Sequence, residues 1–356
     1  MTSFVEAVLM PFFHRRSGLR IGAAVALAVL APLPSRGADD ALIAAARKEG
    51  HVTWYTTQII NEFVLPLAQI FERRYGVQID YVRGETSEIA LRVINEAKAG
   101  KVEADVVEGS LTPPVLKKQN LLMKWVPESA TRLPKQYVDQ EGYWIATNAN
   151  VLTPGFNTDL IPAGSAPKTL ADLLDPKWKG KMAWSSSSGA AAAPGFIGMV
   201  LAEMGEDKGM AYLRELAKQN ITGLSFGARQ VLDQVISGEY PLALQIFNNH
   251  AVISASQGAP VAWIPMNPAL AVLSPLSVTA GAPHPNAAKL LIDFLISPEG
   301  QDFYRDKNML PIDPGVAPRV ASLRPDGKTF RAVYLTPETI LDSMPKWTKI
   351  FQDLFR

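Results

Sequence analysis

The chain contains no cysteine among its 356 residues. That excludes disulfides, thiolate metal centres, a cysteine nucleophile and lipid attachment through an N-terminal cysteine. It also lacks an excess of charge: 35 Lys and Arg stand against 34 Asp and Glu, a net charge of +1. Basic and aromatic residues are interspersed without a stripe, so nucleic acid is not an expected partner. No P-loop, GxGxxG, GxSxG or HExxH pattern occurs, and no carboxylate pair stands out, so neither a cofactor nor a catalytic group is singled out. Histidine is scarce: beyond His14 there are only His51, His250 and His284, far apart in the chain, and no metal site is expected from them.

What is present is length and apolar content. The hydrophobic fraction of 47% is ample for packed cores, and the length exceeds the ~100–200 residues of one domain, so two are expected. The first 38 residues read as a secretory signal. Arg15, Arg16 and Arg20 form a basic run, residues 21–33 are apolar and uncharged, and Pro34, Ser35, Gly37 and Ala38 supply breaking and small residues. The apolar run is shorter than the ~20 residues that span a bilayer. Arginines 15, 16, 20 and 36 against the single acid Glu6 account for the positive excess; without them 31 basic and 33 acidic side chains remain, net −2.

Residues 51–55 read as a strand, followed by an amphipathic helix with Ile60, Phe63, Val64, Leu67, Ile70 and Phe71 on one face, closed by Gly76. Pro66 implies a shifted start or a kink there. Strands at 77–81 and 104–107 flank a second helix with Ala90, Val93 and Ile94 on its face. Strand, helix, strand, helix, strand predicts a mostly parallel sheet covered on both faces, whose ligands bind beyond the carboxyl ends of the strands. Three polar loops stand at such ends: Thr56 and Thr57; Arg83, Thr86 and Ser87; Glu108 and Ser110. Each is also ordinary turn and cap chemistry, with Thr86 or Ser87 a natural cap for the next helix.

A second group of elements follows. A strand begins at Tyr143 and runs on to Asn157, Thr169 with Asp172 forms a capping-box pattern, and a strand at 182–184 leads into a serine-rich loop. That loop, Ser186, Ser187, Ser188 and Gly189, precedes a helix expected from Ala190 to Met204 and interrupted at Pro194. Hydroxyls beside a helix N-terminus suit an anion, although one serine as a cap and the rest as solvated loop fits equally. A strand at 241–246 ends in Phe247, Asn248, Asn249 and His250.

Taken together, the leader, the opening VTWYTT, PKTLADLLDPKWKGKMAW, ISGEYPLAL and GAPHPNAAKLLIDFLISPEGQ resemble family 1 extracellular solute-binding proteins. More narrowly they resemble the ferric-iron-binding branch of periplasmic binding proteins that serve ABC importers, over most of residues 51–311. The resemblance implies the type II periplasmic binding protein fold: two α/β lobes, each a mostly parallel sheet flanked by helices, joined by two strand-like crossings near 147–157 and 265–270. It implies residues 1–38 as signal peptide, 39–148 with 268–356 as the first lobe and 149–267 as the second. A small-molecule ligand would sit between the lobes and favour closure by touching both, and the permease subunits of the importer would then recognise the closed protein. It implies a periplasmic monomer and a binding protein, not an enzyme.

Carried over loop by loop, the ligand-binding residues are Thr56, Thr57, Arg83, Thr86, Ser87, Glu108, Ser110, Ser186, Ser187, Ser188, Gly189, Asn248, Asn249 and His250. Where the ferric binders carry adjacent tyrosines this chain has Asn249, His250 and Ala251. Amides and one imidazole are poor substitutes for phenolate on a hard cation. The expected ligand is therefore a small organic anion bearing carboxylate or phosphate, with Arg83 supplying charge. Ferric iron with a synergistic anion is the alternative, and a secreted hydrolase a third reading.

Overall fold

The computed structural model describes residues 40–187 and 189–356. The expected signal peptide, and Ser188 of the serine-rich loop, lie outside the described residues. The first alternation is α1 (Asp40–Glu49), β1 (His51–Thr56), α2 (Leu65–Tyr75), β2 (Gln78–Arg83), α3 (Thr86–Lys98), β3 (Val106–Glu108) and α4 (Thr112–Lys118). A wide π-type turn, Ile60–Val64, precedes α2 and resolves the Pro66 question. Pro66 takes the second position of the regular helix, where an amide hydrogen would have no intrahelical partner anyway. Gly76 ends α2 in the left-handed conformation, φ 71°.

The second group comprises β4 (Ile145–Asn157), β5 (Met182–Ser185), α5 (Ala193–Met204), α6 (Glu206–Ala217), β6 (Thr222–Leu224), α7 (Ala228–Ile236), β7 (Leu242–Phe247), α8 (Asn248–Ser256) and β8 (Val261–Trp263). The chain returns through β9 (Ala269–Val278), α9 (Pro285–Ile296), α10 (Pro298–Asp306), β10 (Leu310–Pro311) and β11 (Ala332–Leu335), and ends in α11 (Pro337–Phe355). Pro194 does not interrupt α5; it is the helix's second residue, and the helix starts at Ala193 instead of Ala190. The Thr169 and Asp172 pattern forms: Asp172 accepts from the amides of Lys168 and Thr169 at 2.8 and 2.9 Å, and Thr169 Oγ1 accepts from the amide of Asp172. What it caps is a short 3₁₀ turn, Ala171–Leu174.

All strands belong to one sheet of order β2-β1-β3-β9-β4-β7-β5-β6, with β8 and β10 paired to β4 and β11 to β9. Two parallel sets, β2-β1-β3 and β7-β5-β6, carry the two lobes. Antiparallel β9 and β4 join them, paired from Ile145 with Leu276 to Leu152 with Leu270. The expected crossing near 147–157 falls within β4; the second crossing strand, β9, begins inside the expected 265–270 and runs on to Val278. β4 and β9 are buried along almost their whole length, as strands covered on both faces must be.

Two large cores flank the joining strands. Trp54, Phe63, Leu67, Phe71, Phe294 and Tyr304 belong to the first, Trp184, Phe196, Leu213 and Leu242 to the second, and β4 and β9 contribute to both. The C-terminal helix was expected with the first lobe. Its apolar face, Ile340, Trp347, Ile350 and Phe351, lies instead in the second core, with the Phe355 ring 4.8 Å from that of Trp184. Gly198 makes room for it: a Cβ there would lie 2.6 Å from the Trp347 ring.

Candidate ligand-binding site

Register places the first set of predicted residues side by side. Thr56 pairs with Arg83 across β1 and β2, and Tyr55 with Val107 across β1 and β3, which sets Thr56 beside Glu108 at the carboxyl end of the parallel set. Glu108 is fully buried and both its oxygens are engaged. Thr56 Oγ1 donates to one, and Gln58 Nε2 donates to the other at 2.6 Å. Thr56 Oγ1 also accepts from the amide of Gln58 at 3.0 Å. Burial pushes the Glu108 carboxyl up to about 7, against the opposing pull of these two hydrogen bonds. Glu108 thus positions Thr56 and Gln58 and shows no free oxygen to a ligand. Gln58 directly follows Thr56 and Thr57, but nothing in its residue type distinguishes it from turn chemistry.

The other two loops of this lobe are joined to each other. Thr86 Oγ1 lies 2.8 Å from Thr112 Oγ1 and accepts from the Leu111 amide at 3.2 Å. Thr86 is therefore no helix cap; at the start of α3 the Glu88 carboxylate accepts from the Glu85 amide at 3.0 Å. Gly109, φ 140°, lets the chain pass: a Cβ would lie 2.6 Å from Thr86 Oγ1 and 2.7 Å from Thr112 Oγ1. Thr57 and Ser110 are half-buried, and Ser87 is exposed. Arg83 ends the edge strand β2, exposed and with no ionic or hydrogen-bonding partner among the described residues.

The second set gathers at the carboxyl ends of β5, β6 and β7. Ser185 Oγ donates to the Phe226 carbonyl at 2.5 Å and lies 2.8 Å from Ser187 Oγ, while the Ser186 amide donates to Leu224 at 2.7 Å. Ser186 and Gly189 are half-buried and Ser187 exposed. Because α5 begins only at Ala193, the serines stand a turn ahead of its first amides. Asn248, Asn249 and His250 are not a loop but the first three residues of α8. The Asn248 amide donates to the Leu323 carbonyl and the Asn249 amide to the Asn308 carbonyl, both at 3.1 Å, so these side chains tie α8 to later segments.

His250 packs edge-on to Phe247, with 4.9 Å between ring centroids. Burial, then the Arg229 guanidinium, pull it down to about 4, with Asp233 opposing. The ring is neutral at pH 7. Its Nδ1 is buried without a partner among the described residues. Arg229 was not among the expected residues, since its sequence context reads only as the start of a helix.

Other candidates lie elsewhere. His284 Nδ1 is 2.9 Å from Asp105 and its ring centroid 3.9 Å from that of His51, but His51 begins β1, at the opposite end of the strands from Thr56. Among the described residues no three His, Asp or Glu side chains are grouped to hold a metal ion. A concavity of about 770 Å³ lined by Glu88, Leu91, Arg92, Asn95 and Glu96 runs along α3, off the strand-end loops. No described helix is long and apolar enough to cross a membrane.

The model of the bacterial extracellular solute-binding protein family matches residues 114–334, more than half of the chain. A putative 2-aminoethylphosphonate-binding periplasmic protein of Salmonella typhimurium is 25% identical over 314 residues, 85% of each chain. An Fe(3+)-binding periplasmic protein of Serratia marcescens is 23% identical over 292 residues, 77% of this chain and 83% of the relative. Among solved structures, iron-bound HitA from Pseudomonas aeruginosa superposes with a TM-score of 0.70 at 23% identity, covering 85% of this chain and 99% of that one. AfuA from Actinobacillus pleuropneumoniae, with fructose-6-phosphate bound, superposes with a TM-score of 0.68 at 20% identity, covering 86% and 98%. These likenesses establish the two-lobed fold.

Proposed function

Since the chain belongs to the bacterial extracellular solute-binding protein family, periplasmic proteins that capture solutes for ABC importers and are not enzymes, we propose that its solute is a small organic anion bearing a phosphonate, phosphate or carboxylate group, held as a monomer between the two lobes. The observation that carries this is Arg83: an exposed cation without an anionic partner among the described residues, at the end of β2 and in register with Thr56. Hydroxyls of Thr57, Ser87, Ser110, Ser186 and Ser187 at the strand ends of both lobes add neutral donors. A ligand touching both sets stabilises closure by its extra contacts in the closed form. The phosphonate relative and the sugar-phosphate-bearing structural neighbour support the same class.

Ferric iron with a synergistic anion is a second reading, favoured by the Serratia relative and by a neutral His250 able to ligate. Thermal-shift screening of the natively purified protein separates the two. The panel holds 2-aminoethylphosphonate, other phosphonates, sugar phosphates, dicarboxylates, and Fe³⁺ with and without citrate. A ligand at a hundred times its Kd stabilises by about 2.7 kcal/mol, which raises the midpoint of a chain this size by about 4 °C. Stabilisation by an anion without iron is the expected result; a shift from Fe³⁺ with none from any anion would overturn the proposal.

A further inference from the structure

The second lobe holds a polar cluster between α7 and α8 that the assignments above leave unexplained. Its cation is Arg229, the second residue of α7. The loop that delivers it is pinned to the end of β5 by the Ser185 hydroxyl on the Phe226 carbonyl. Arg229 Nη1 donates to Ser254 Oγ on α8 at 3.1 Å, and Nη2 donates to Asp233 on its own helix at 2.8 Å. Ser254 and His250 are four residues apart on α8 and share a face, so the guanidinium lies along the face that carries His250. Two of its five N–H groups are used and the side chain is 46% exposed, which leaves donors for a ligand.

One further group here is buried and unpartnered, His250 Nδ1. Buried polar atoms are almost always hydrogen-bonded, so this imidazole specifies a polar partner. We propose that Arg229 is the second-lobe residue that binds the charged end of the solute, with His250 bonding one of its oxygens. The free N–H groups of the guanidinium on α7 and the imidazole on α8 suit the several oxygens of a phosphonate or phosphate. The inference rests on the organic-anion reading. With Arg83 on the first lobe, it places a cation on each side of the same anion.

Isothermal titration with methylphosphonate and its singly charged monomethyl ester tests this, using the wild-type protein, Arg229→Gln, Arg229→Lys and Ser254→Ala. Charge-assisted bonds to arginine of this kind make Arg229→Gln weaken methylphosphonate by about 10–100-fold. In that variant the preference for the doubly charged probe falls to within about threefold, while Arg229→Lys keeps the preference at lower affinity. Ser254→Ala, which removes one clip and not the charge, retains the preference. If the wild type binds methylphosphonate and Arg229→Gln binds it equally with the preference intact, this inference falls and the organic-anion reading stands. If Ser254→Ala loses as much as Arg229→Gln while both keep the preference, Arg229 is only a clip between helices and the inference falls. If the wild type binds neither these probes nor any other anion, the organic-anion reading falls with it. Arg229 is exposed, so unchanged circular dichroism is expected for its variants.

Discussion

Gly195→Ala is expected to destabilise the protein by about 3 kcal/mol or more and to abolish solute capture. Gly195 is the third residue of α5. A Cβ there would overlap the carbonyl oxygen of Ala190 and lie 2.6 Å from its carbonyl carbon and 2.9 Å from its Cα. The obstacle is backbone, which has no rotamer to escape into, so either α5 or the end of the serine-rich loop must move. Moving α5 displaces Gly198 from the Trp347 ring and disturbs the second core; moving the loop displaces Ser186, Ser187 and Gly189. Gly189→Ala is the matched control, since a Cβ there has open space within 4 Å, and its stability should stay within about 0.5 kcal/mol of wild type. Urea denaturation of both variants decides the matter. A Gly195→Ala midpoint equal to that of Gly189→Ala would show that the loop gives way at no cost.

Glu108→Gln is expected to change how stability depends on pH. The folded carboxyl titrates near 7 and the unfolded one near 4.5, with burial the cause. Between these values the folded state holds the extra proton, so stability is greatest below pH 4.5 and falls as pH rises through 7. The loss contributed by this one group is on the order of 3 kcal/mol. Glutamine reproduces the protonated acid: its carbonyl accepts from Gln58 and its amide donates to Thr56. The variant should match wild type near pH 4.5 and exceed it by that amount above pH 8. Denaturant titrations from pH 4.5 to 8.5 read the difference. Parallel curves for the two proteins would mean that Glu108 enters the core charged and is compensated there by partners other than Thr56 and Gln58.

For the candidate solute site, legibility was uneven. The polar strand-end loops were visible because strands and helices have different periods and the residues between them are polar; Thr56, Arg83 and Ser186 could be named on that ground. The state of each side chain was not. Glu108 reads as an acid offered to a ligand, and folding buries it against Thr56 and Gln58. Asn248 and Asn249 read as recognition amides, and folding gives each a backbone carbonyl from residues 59 or more positions away in the chain. Arg229 reads as an ordinary helix residue until Ser254, 25 positions on, receives its guanidinium.

The same division runs through the fold. Local pattern alone determined the order of elements in the first parallel set, the buried face of α2 and the parallel pairing of β2-β1-β3, since these follow from periodicity and from the alternation of strand and helix. It also determined the family, through runs such as DPKWKGK. Where α11 packs, which glycines face backbone, and which polar groups remain for a solute were decided only by tertiary structure. Contacts such as that of Gly198 with Trp347 join residues far apart in the chain, and no spacing in the chain encodes which distant partner will satisfy a given hydroxyl, amide or carboxylate.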